Sequence, residues 1–591
     1  MSRKTSKSGA ARTWTAVGLL MLLLTGCGSG GGDTAPQESD PQAEATDAAE
    51  TPLQFVDETS RLRPVPAYEN GETAGRNSIV ESLGGGVGLV DFDVDGRLDV
   101  CFPGGGLFEG NSLVGLPTSL LRQTANGTFE NVSGISRIDA AGYYSHGCSV
   151  ADYDADGFAD VLITGYGGLE LWRNLGDGTF ERAAETAGLI DPSWSSSAAW
   201  GDLDGDGHLD LYVAHYVNWS FENDPACYGP GGKRDVCAPR DFDGLDDTVF
   251  LSNGDGTFRD GSEEVGLVPE GKGLGVLLAD LDHNGALDAY VANDTTNNFL
   301  YLNDGSGQLE ERGVLSGTAV DALANANGSM GLVLTDFNLD GRSDLWVANY
   351  EDENFALYRN DGGGNFLYFS TQAELNLLGT LFVAFGCVPG DFDLDGDEDV
   401  AVANGHVVHI PRNAPLRQQP LMMVNDAGDR FERVMPAGSD YFEQQHPGRG
   451  LATGDLNGNG LLDLVFTNIR EAPALLLNES QVAGESLQLR LVGRASNRTA
   501  IGARIELKTP AGTLLRHVVG GGSYLSSSDR TLHFGIPEGA TVEEAVIHWS
   551  GGHVDRVGVD ALTSESQHRL LVIVEGRDDE PAEIVELPRV R

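Results

Sequence analysis

Aspartates recur in this sequence in one fixed spacing, D-x-[DN]-x-[DN]-G-x-x-D, seven times over. Loop one is Asp91, Asp93, Asp95, Gly96 and Asp99, and loop two is Asp152, Asp154, Asp156, Gly157 and Asp160. Loop three is Asp202, Asp204, Asp206, Gly207 and Asp210, and loop four is Asp280, Asp282, Asn284, Gly285 and Asp288. Loop five is Asp336, Asn338, Asp340, Gly341 and Asp344, and loop six is Asp391, Asp393, Asp395, Gly396 and Asp399. Loop seven is Asp455, Asn457, Asn459, Gly460 and Asp463. Side chains at positions one, three and five of a tight loop converge on one point, and Gly at six permits the sharp turn. Position seven can add its backbone carbonyl, and Asp at nine closes a cage of the kind Ca2+ takes, with about six to eight hard oxygens. The expected cofactor is Ca2+, up to seven ions. Loop seven, in which only Asp455 and Asp463 are acidic, should hold its ion most weakly.

The elements around the loops must be strands. An EF-hand needs Glu at position twelve between helices. Here position twelve is Phe102, Ile163, Val213, Val291, Val347, Val402 or Phe466. Short apolar runs such as Val161-Leu162-Ile163 follow position nine, as buried strands do. A second hairpin follows in each unit, as in Leu171-Trp172-Arg173-Asn174 before Gly176-Asp177-Gly178-Thr179-Phe180. Four strands per unit, seven times, predict an all-β, seven-bladed β-propeller over 53–480. The seventh unit stops at Leu476-Leu477-Asn478, and its missing strand is expected from Leu53–Thr59, which closes the ring. From Leu487 longer alternating strands begin, predicting a small β-sandwich-like domain over 481–575 and a tail over 576–591.

The chain of 591 residues has 38 Lys and Arg against 89 Asp and Glu, a net charge of −51, which excludes nucleic acid and anionic lipid surfaces as partners. At the N-terminus, basic Arg3, Lys4, Lys7 and Arg12 precede an apolar run from Trp14 to Leu24, too short to span a bilayer. Leu24-Thr25-Gly26-Cys27 follows and resembles the bacterial lipobox, which implies a signal peptide over 1–26 and lipidation of Cys27. Gly28 at the next position, and not Asp, resembles the enterobacterial lipoprotein sorting pattern that implies the outer membrane or cell surface over the inner membrane, and the polar stretch 27–52 reads as a tether. Export also favours a disulfide between Cys227 and Cys237. No nucleophile elbow, zincin helix or phosphate loop occurs, and His146, His406, His409 and His446 read as structural.

The repeats resemble the FG-GAP/VCBS repeats of integrin-like propellers. Asn497–Arg504, Gly520–Ser526, Leu532–Gly535 and Val546–Gly552 resemble the ASPIC/UnbV domain. Together they make the chain similar to a bacterial member of the cartilage acidic protein-like family. That resemblance implies a calcium-binding, envelope-anchored propeller that binds or adheres to an extracellular or periplasmic protein or glycan, touching membrane through its lipid alone. The alternatives are a carbohydrate-active enzyme on a propeller scaffold and a scaffold for envelope protein assembly. If Cys27 is the lipid anchor, Cys27→Ser should move the protein from the membrane to the soluble fraction. Unchanged partitioning on detergent phase separation would contradict it.

Overall fold

The computed structural model describes residues 53–587 apart from 65, 141, 564–567 and 578–579. The signal 1–26, Cys27 and the tether 27–52 lie outside the described residues. Seven antiparallel sheets follow one another along the chain, each built on four strands. Their innermost strands are Gly88–Val90, Tyr144–Ala151, Ser195–Gly201, Gly273–Ala279, Leu332–Thr335, Ala384–Gly390 and Gly448–Gly454. The seventh sheet takes its fourth strand from the start of the described chain: Phe55 pairs with Asn478, Val56 with Leu477 and Asp57 with Leu476. Leu62–Arg63 then adds a parallel strand to sheet one beside Phe129 and Glu130.

The core lies between neighbouring sheets. Leu277, Tyr290 and Leu300 of sheet four pack on Leu332, Leu345 and Tyr358 of sheet five. Leu89, Val100 and Leu121 of sheet one pack on Ala452, Val465 and Leu475 of sheet seven, so the seam at closure is as apolar as the others.

A polar latch repeats at these seams. The residue ending the third strand of one sheet donates its side-chain amide to the second carbonyl of the preceding sheet's aspartate loop. Asn174 reaches Phe92 O at 2.8 Å, Asn303 reaches Leu203 O at 2.7 Å and Asn360 reaches Leu281 O at 2.8 Å. Asn425 reaches Phe337 O at 2.9 Å and Asn478 reaches Phe392 O at 3.0 Å. Gln123 of sheet one reaches Leu456 O of sheet seven at 2.6 Å, so the latch also spans the closure. Ser252 stands at the equivalent place in sheet three, too short for that reach.

The C-terminal domain is two four-stranded sheets. One orders Leu532–Ile536, Glu485–Val492, His568–Val574 and Glu583–Leu587; the other orders Gly512–His517, Arg504–Thr509, Glu544–His548 and Val554–Gly558. Residues 576–591, expected as a tail, therefore contribute an edge strand. Ile584 packs on the domain core, and the run Glu583-Ile584-Val585-Glu586-Leu587 is too short and charged to read as a strand in isolation.

The domain is not a free appendage. Its segment Val518–Thr531 runs down the propeller axis and touches the innermost strand of every sheet. Gly520 and Gly521 pair with Leu278 and Leu277 of sheet four, and Ser523 exchanges backbone bonds with Leu332 of sheet five at 2.7 and 3.0 Å. Leu525 O accepts from Cys148 N of sheet two at 2.9 Å, and Leu525 N donates to Ser197 Oγ of sheet three at 3.3 Å. Ser527 bonds Val87 and Leu89 of sheet one, and Ser523 Oγ donates to Leu451 O of sheet seven at 2.8 Å. The Tyr524 ring meets Phe385 of sheet six at 4.9 Å. Only glycine permits this approach at position 520, where a Cβ would lie 1.9 Å from Trp200 O.

The latches yield the first structural prediction. Asn303→Ala leaves the Leu203 carbonyl buried without its donor and should cost about 1–3 kcal/mol. Thermal unfolding would show a lowered midpoint, and an unchanged midpoint would contradict the latch.

Candidate metal centres

Each aspartate loop turns between the first and second strands of its sheet. Residue four is left-handed in all seven: Val94, Ala155, Gly205, His283, Leu339, Leu394 and Gly458. Five of these carry side chains, and β-branched Val94 at φ 56° is strained. Gly at six is left-handed as well, which is why no other residue stands there. The backbone is thus held in a shape that the side chains at one, three, five and nine exploit.

Four hydrogen bonds recur in every loop. The position-one carboxylate accepts from the N–H of Gly at six, as Asp152 does from Gly157 at 2.9 Å and Asp391 from Gly396 at 3.0 Å. The position-five side chain accepts from the N–H of residue seven, as Asp206 does from His208 at 2.8 Å and Asn459 from Leu461 at 2.8 Å. The position-nine aspartate accepts twice. Its Oδ2 takes the N–H of residue two, and its Oδ1 takes the N–H that ends the third strand. For Asp210 these are Leu203 at 2.8 Å and Ser252 at 2.8 Å, and for Asp463 they are Leu456 at 2.8 Å and Asn478 at 2.7 Å.

These bonds use one side of each carboxylate and leave the other facing inward. In loops one to six an inner oxygen at position one or three is buried with no hydrogen-bond donor. These are Oδ1 of Asp93, Asp152, Asp202, Asp280, Asn338 and Asp393. In four loops three carboxylates bring ligand atoms within 4.8 Å of one another: Asp91, Asp93 and Asp99; Asp152, Asp154 and Asp160; Asp202, Asp204 and Asp206; Asp280, Asp282 and Asp288. Buried acceptors without donors, all of hard oxygen, fit a divalent cation such as Ca2+ and nothing softer. The residues that would hold it are the ones the sequence singles out at positions one, three, five and nine of each loop.

Burial sets the electrostatics. It pushes Asp152 and Asp202 up to about 6, Asp391 to about 8, Asp99 to about 8 and Asp160 to about 9, with neighbouring carboxylates adding to the rise. Asp288, Asp399 and Asp463 are raised well above the usual carboxylate range for the same reason.

Arginines that sequence reasoning does not single out attend the outer oxygens. Arg122 Nε lies 2.5 Å from Asp93, and Arg173 Nε 2.6 Å from Asp154. Others come from the C-terminal domain, which covers this face. Arg504 pairs with Asp280 at 2.8 Å, Arg498 lies 3.8 Å from Asp152, and Arg516 pairs with Glu398 of loop six at 3.0 Å. Gln488 donates to Asp455 at 3.0 Å, and His517 bonds Ser343 of loop five at 2.6 Å. No local pattern announces such long-range partners.

Antiparallel alternation puts the connections between second and third strands on the opposite face. The longest of these, 216–247, carries Cys227 and Cys237, which form a disulfide with Cα atoms 5.1 Å apart. Asp235 inside it is buried, and its carboxylate accepts from His409 N at 2.8 Å and Ile410 N at 3.0 Å, tying it to the connection 405–420. His406 and His409 are held there by Glu351 and Glu81 at 3.2 and 3.6 Å. His146 sits between Trp194 Nε1 at 2.8 Å and the Tyr68 hydroxyl at 3.2 Å, in a structural role.

Comparison with known proteins places these features. FG-GAP-like repeats match residues 91–163, 152–213, 280–347 and 336–402, and the ASPIC and UnbV model matches 493–577. Cartilage acidic protein 1 of Mus musculus is 24% identical over 568 residues, 89% of this chain and 78% of that protein. Its Xenopus tropicalis counterpart is 24% identical over 500 residues, 79% of this chain and 70% of that protein. Among solved structures, YCF48 bound to a D1 peptide aligns with a TM-score of 0.38 at 10% identity, covering 74% of this chain and 98% of that one. A lectin of Agrocybe aegerita that recognises non-reducing terminal N-acetylglucosamine aligns with a TM-score of 0.35 at 16% identity, covering 66% and 87%.

The raised carboxylates predict opposite pH behaviour with and without metal. A group raised on folding stabilises the fold below its unfolded value, near 4, and that stability is lost as pH rises through the folded value. Metal-free protein should therefore melt lower at pH 9 than at pH 5. Cation binding needs the ionised carboxylates, so added Ca2+ should raise the midpoint far more at pH 9. A metal-free midpoint that rises from pH 5 to 9 would contradict the account.

Proposed function

We propose, for a chain that carries FG-GAP-like repeats followed by an ASPIC and UnbV domain and that has homologues named cartilage acidic protein 1, that it is a Ca2+-loaded binding module. Lipid on Cys27 holds it in the cell envelope, at the outer membrane or cell surface, and it recognises an extracellular protein or glycan. One observation carries the reading. The aspartate-loop face is taken by the C-terminal domain and the axis by Val518–Thr531, which leaves the opposite face as the one equipped with long connections.

That face has the makings of a recognition surface. Its disulfide-bonded connection is pinned by Asp235 and presents Tyr228, 64% exposed, beside Lys233, Arg234 and Arg240. The connection 216–247 carries these three basic groups among seven acidic ones, so what it offers is the exposed tyrosine and guanidinium groups and not a net positive charge. Next to it Arg76 sits over the rings of Phe108 and Phe221, at 5.1 and 5.3 Å. Aromatic and guanidinium groups on a rigid backbone suit a protein surface or a sugar face. Val518–Thr531 occupies the axis, the deepest concavity a propeller offers, and itself lines the space that remains there.

The test is capture of envelope and matrix components by the Ca2+-loaded protein. Tyr228→Ser with Lys233→Glu should weaken capture at least tenfold and leave the melting midpoint within a degree. Val554→Ser on the C-terminal domain should change neither. Capture that survives the first pair and fails in the second would overturn the choice of face, and turnover of a captured polysaccharide would make the protein an enzyme.

A further inference from the structure

Loop six departs from its six counterparts in one respect. Position seven is Arg97, Phe158, His208, Ala286, Arg342 and Leu461 in the others, and here it is Asp397. The run 391–399 therefore carries aspartate at every odd position.

What position seven does is visible in loops one and five. The Arg97 guanidinium bonds the position-five carboxylate of Asp95 and donates from Nε to Gln123 O at 3.3 Å. The Arg342 guanidinium bonds Asp340 in the same way and donates to Asn360 O at 2.7 Å. Gln123 ends a third strand, and Asn360 stands at the equivalent position of the third strand Ala356–Gly362. In loops four and seven the position-five residue is Asn, and its amide supplies the donor to that carbonyl: Asn284 to Asn303 O at 2.7 Å and Asn459 to Asn478 O at 2.8 Å. These four loops share one spot, between the fifth residue and the end of the third strand, and in each a donor group fills it.

In loop six the same spot is bounded by acceptors. Position five is Asp395, position seven is Asp397 and the third strand ends at Asn425. Asp397 is only 4% exposed. Its Oδ2 accepts from Ala427 N at 3.0 Å, while its Oδ1 is buried with no hydrogen-bond partner. Its carboxyl lies against that of Asp395, with Asp391 near. Among the described residues no lysine or arginine pairs with Asp395 or Asp397. Arg430, on the adjacent turn, is engaged by Glu374, Asp426 and Glu432, and Arg516 by Glu398.

We propose that loop six holds a second divalent cation, seated between Asp395 and Asp397 where an arginine guanidinium stands in loops one and five. Asp395 is then a bridging carboxylate, with one oxygen toward the cage cation and the other toward the second ion. The ligands are hard oxygens, so the ion is Ca2+ or Mg2+ and not a soft metal. The inference rests on the reading of the loops as Ca2+ sites.

Native mass spectrometry of the full protein, exchanged into ammonium acetate with Ca2+ as the only divalent cation, tests it by counting bound ions. The wild type should carry one ion more than Asp397→Arg, which restores the arrangement of loops one and five and should keep the wild-type melting midpoint. Asp397→Asn should also carry one ion fewer, and serves if the arginine variant does not fold. Asp152→Ala, which breaks the cage of loop two, is the control for the cages themselves. If it loses an ion while the Asp397 variants match the wild-type count, the second site is refuted and the cage reading stands. No ions on any variant would overturn both.

Discussion

A carboxylate taken out of water has to be given donors or a cation, and the ninth aspartate of every loop is given donors on both of its oxygens. Its two oxygens accept the N–H of the second loop residue and the N–H that closes the third strand, so one side chain fixes the hairpin of strands one and two to strand three. Seven repetitions of that arrangement set the spacing of the loops, hold their left-handed fourth residues in place and aim the side chains at positions one and three inward. The same carboxylates raise one another's proton affinity and leave inner oxygens without donors, so a metal-free loop is under electrostatic tension. A divalent cation at the centre would relieve it.

The consequence reaches beyond each loop. The residue whose N–H binds the ninth aspartate is also, in six sheets, the one whose amide latches the preceding sheet. The position-one carboxylates, in turn, meet side chains of the C-terminal domain such as Arg504 and Gln488. That domain sends Val518–Thr531 down the axis to all seven innermost strands. Hairpin geometry, ring closure and domain docking therefore draw on one set of acidic groups, and a cation bound in the loops would act on all three.

Much of this was legible in the sequence because it is local and periodic. The aspartate spacing, the apolar runs after position nine and the orphan strand at Phe55–Asp57 need no knowledge of what lies far along the chain. The latches were half visible: asparagine recurs before each Gly-Asp-Gly-type turn, and it reads there as a turn residue, because its partner carbonyl belongs to another sheet. Gly520-Gly521-Gly522 reads as a loop for the same reason, since the close backbone approach that requires glycine is to strands hundreds of residues away. Arg504 and Arg516 sit in alternating strands and Arg498 in a turn, places where a surface arginine is ordinary. Glu583–Leu587 joins a sheet only through pairing with His568–Val574, which its own charge pattern does not announce.

The central claim is that cation-bearing loops, the ring and the axial segment form one coupled unit. Hydrogen exchange followed by mass spectrometry, in Ca2+ and then in chelator, tests it most directly. Chelation should speed exchange in the loop hairpins and, in step with them, in Val518–Thr531, which contributes no loop ligand. Faster exchange confined to the hairpins, with the axial segment as protected as before, would contradict the claim.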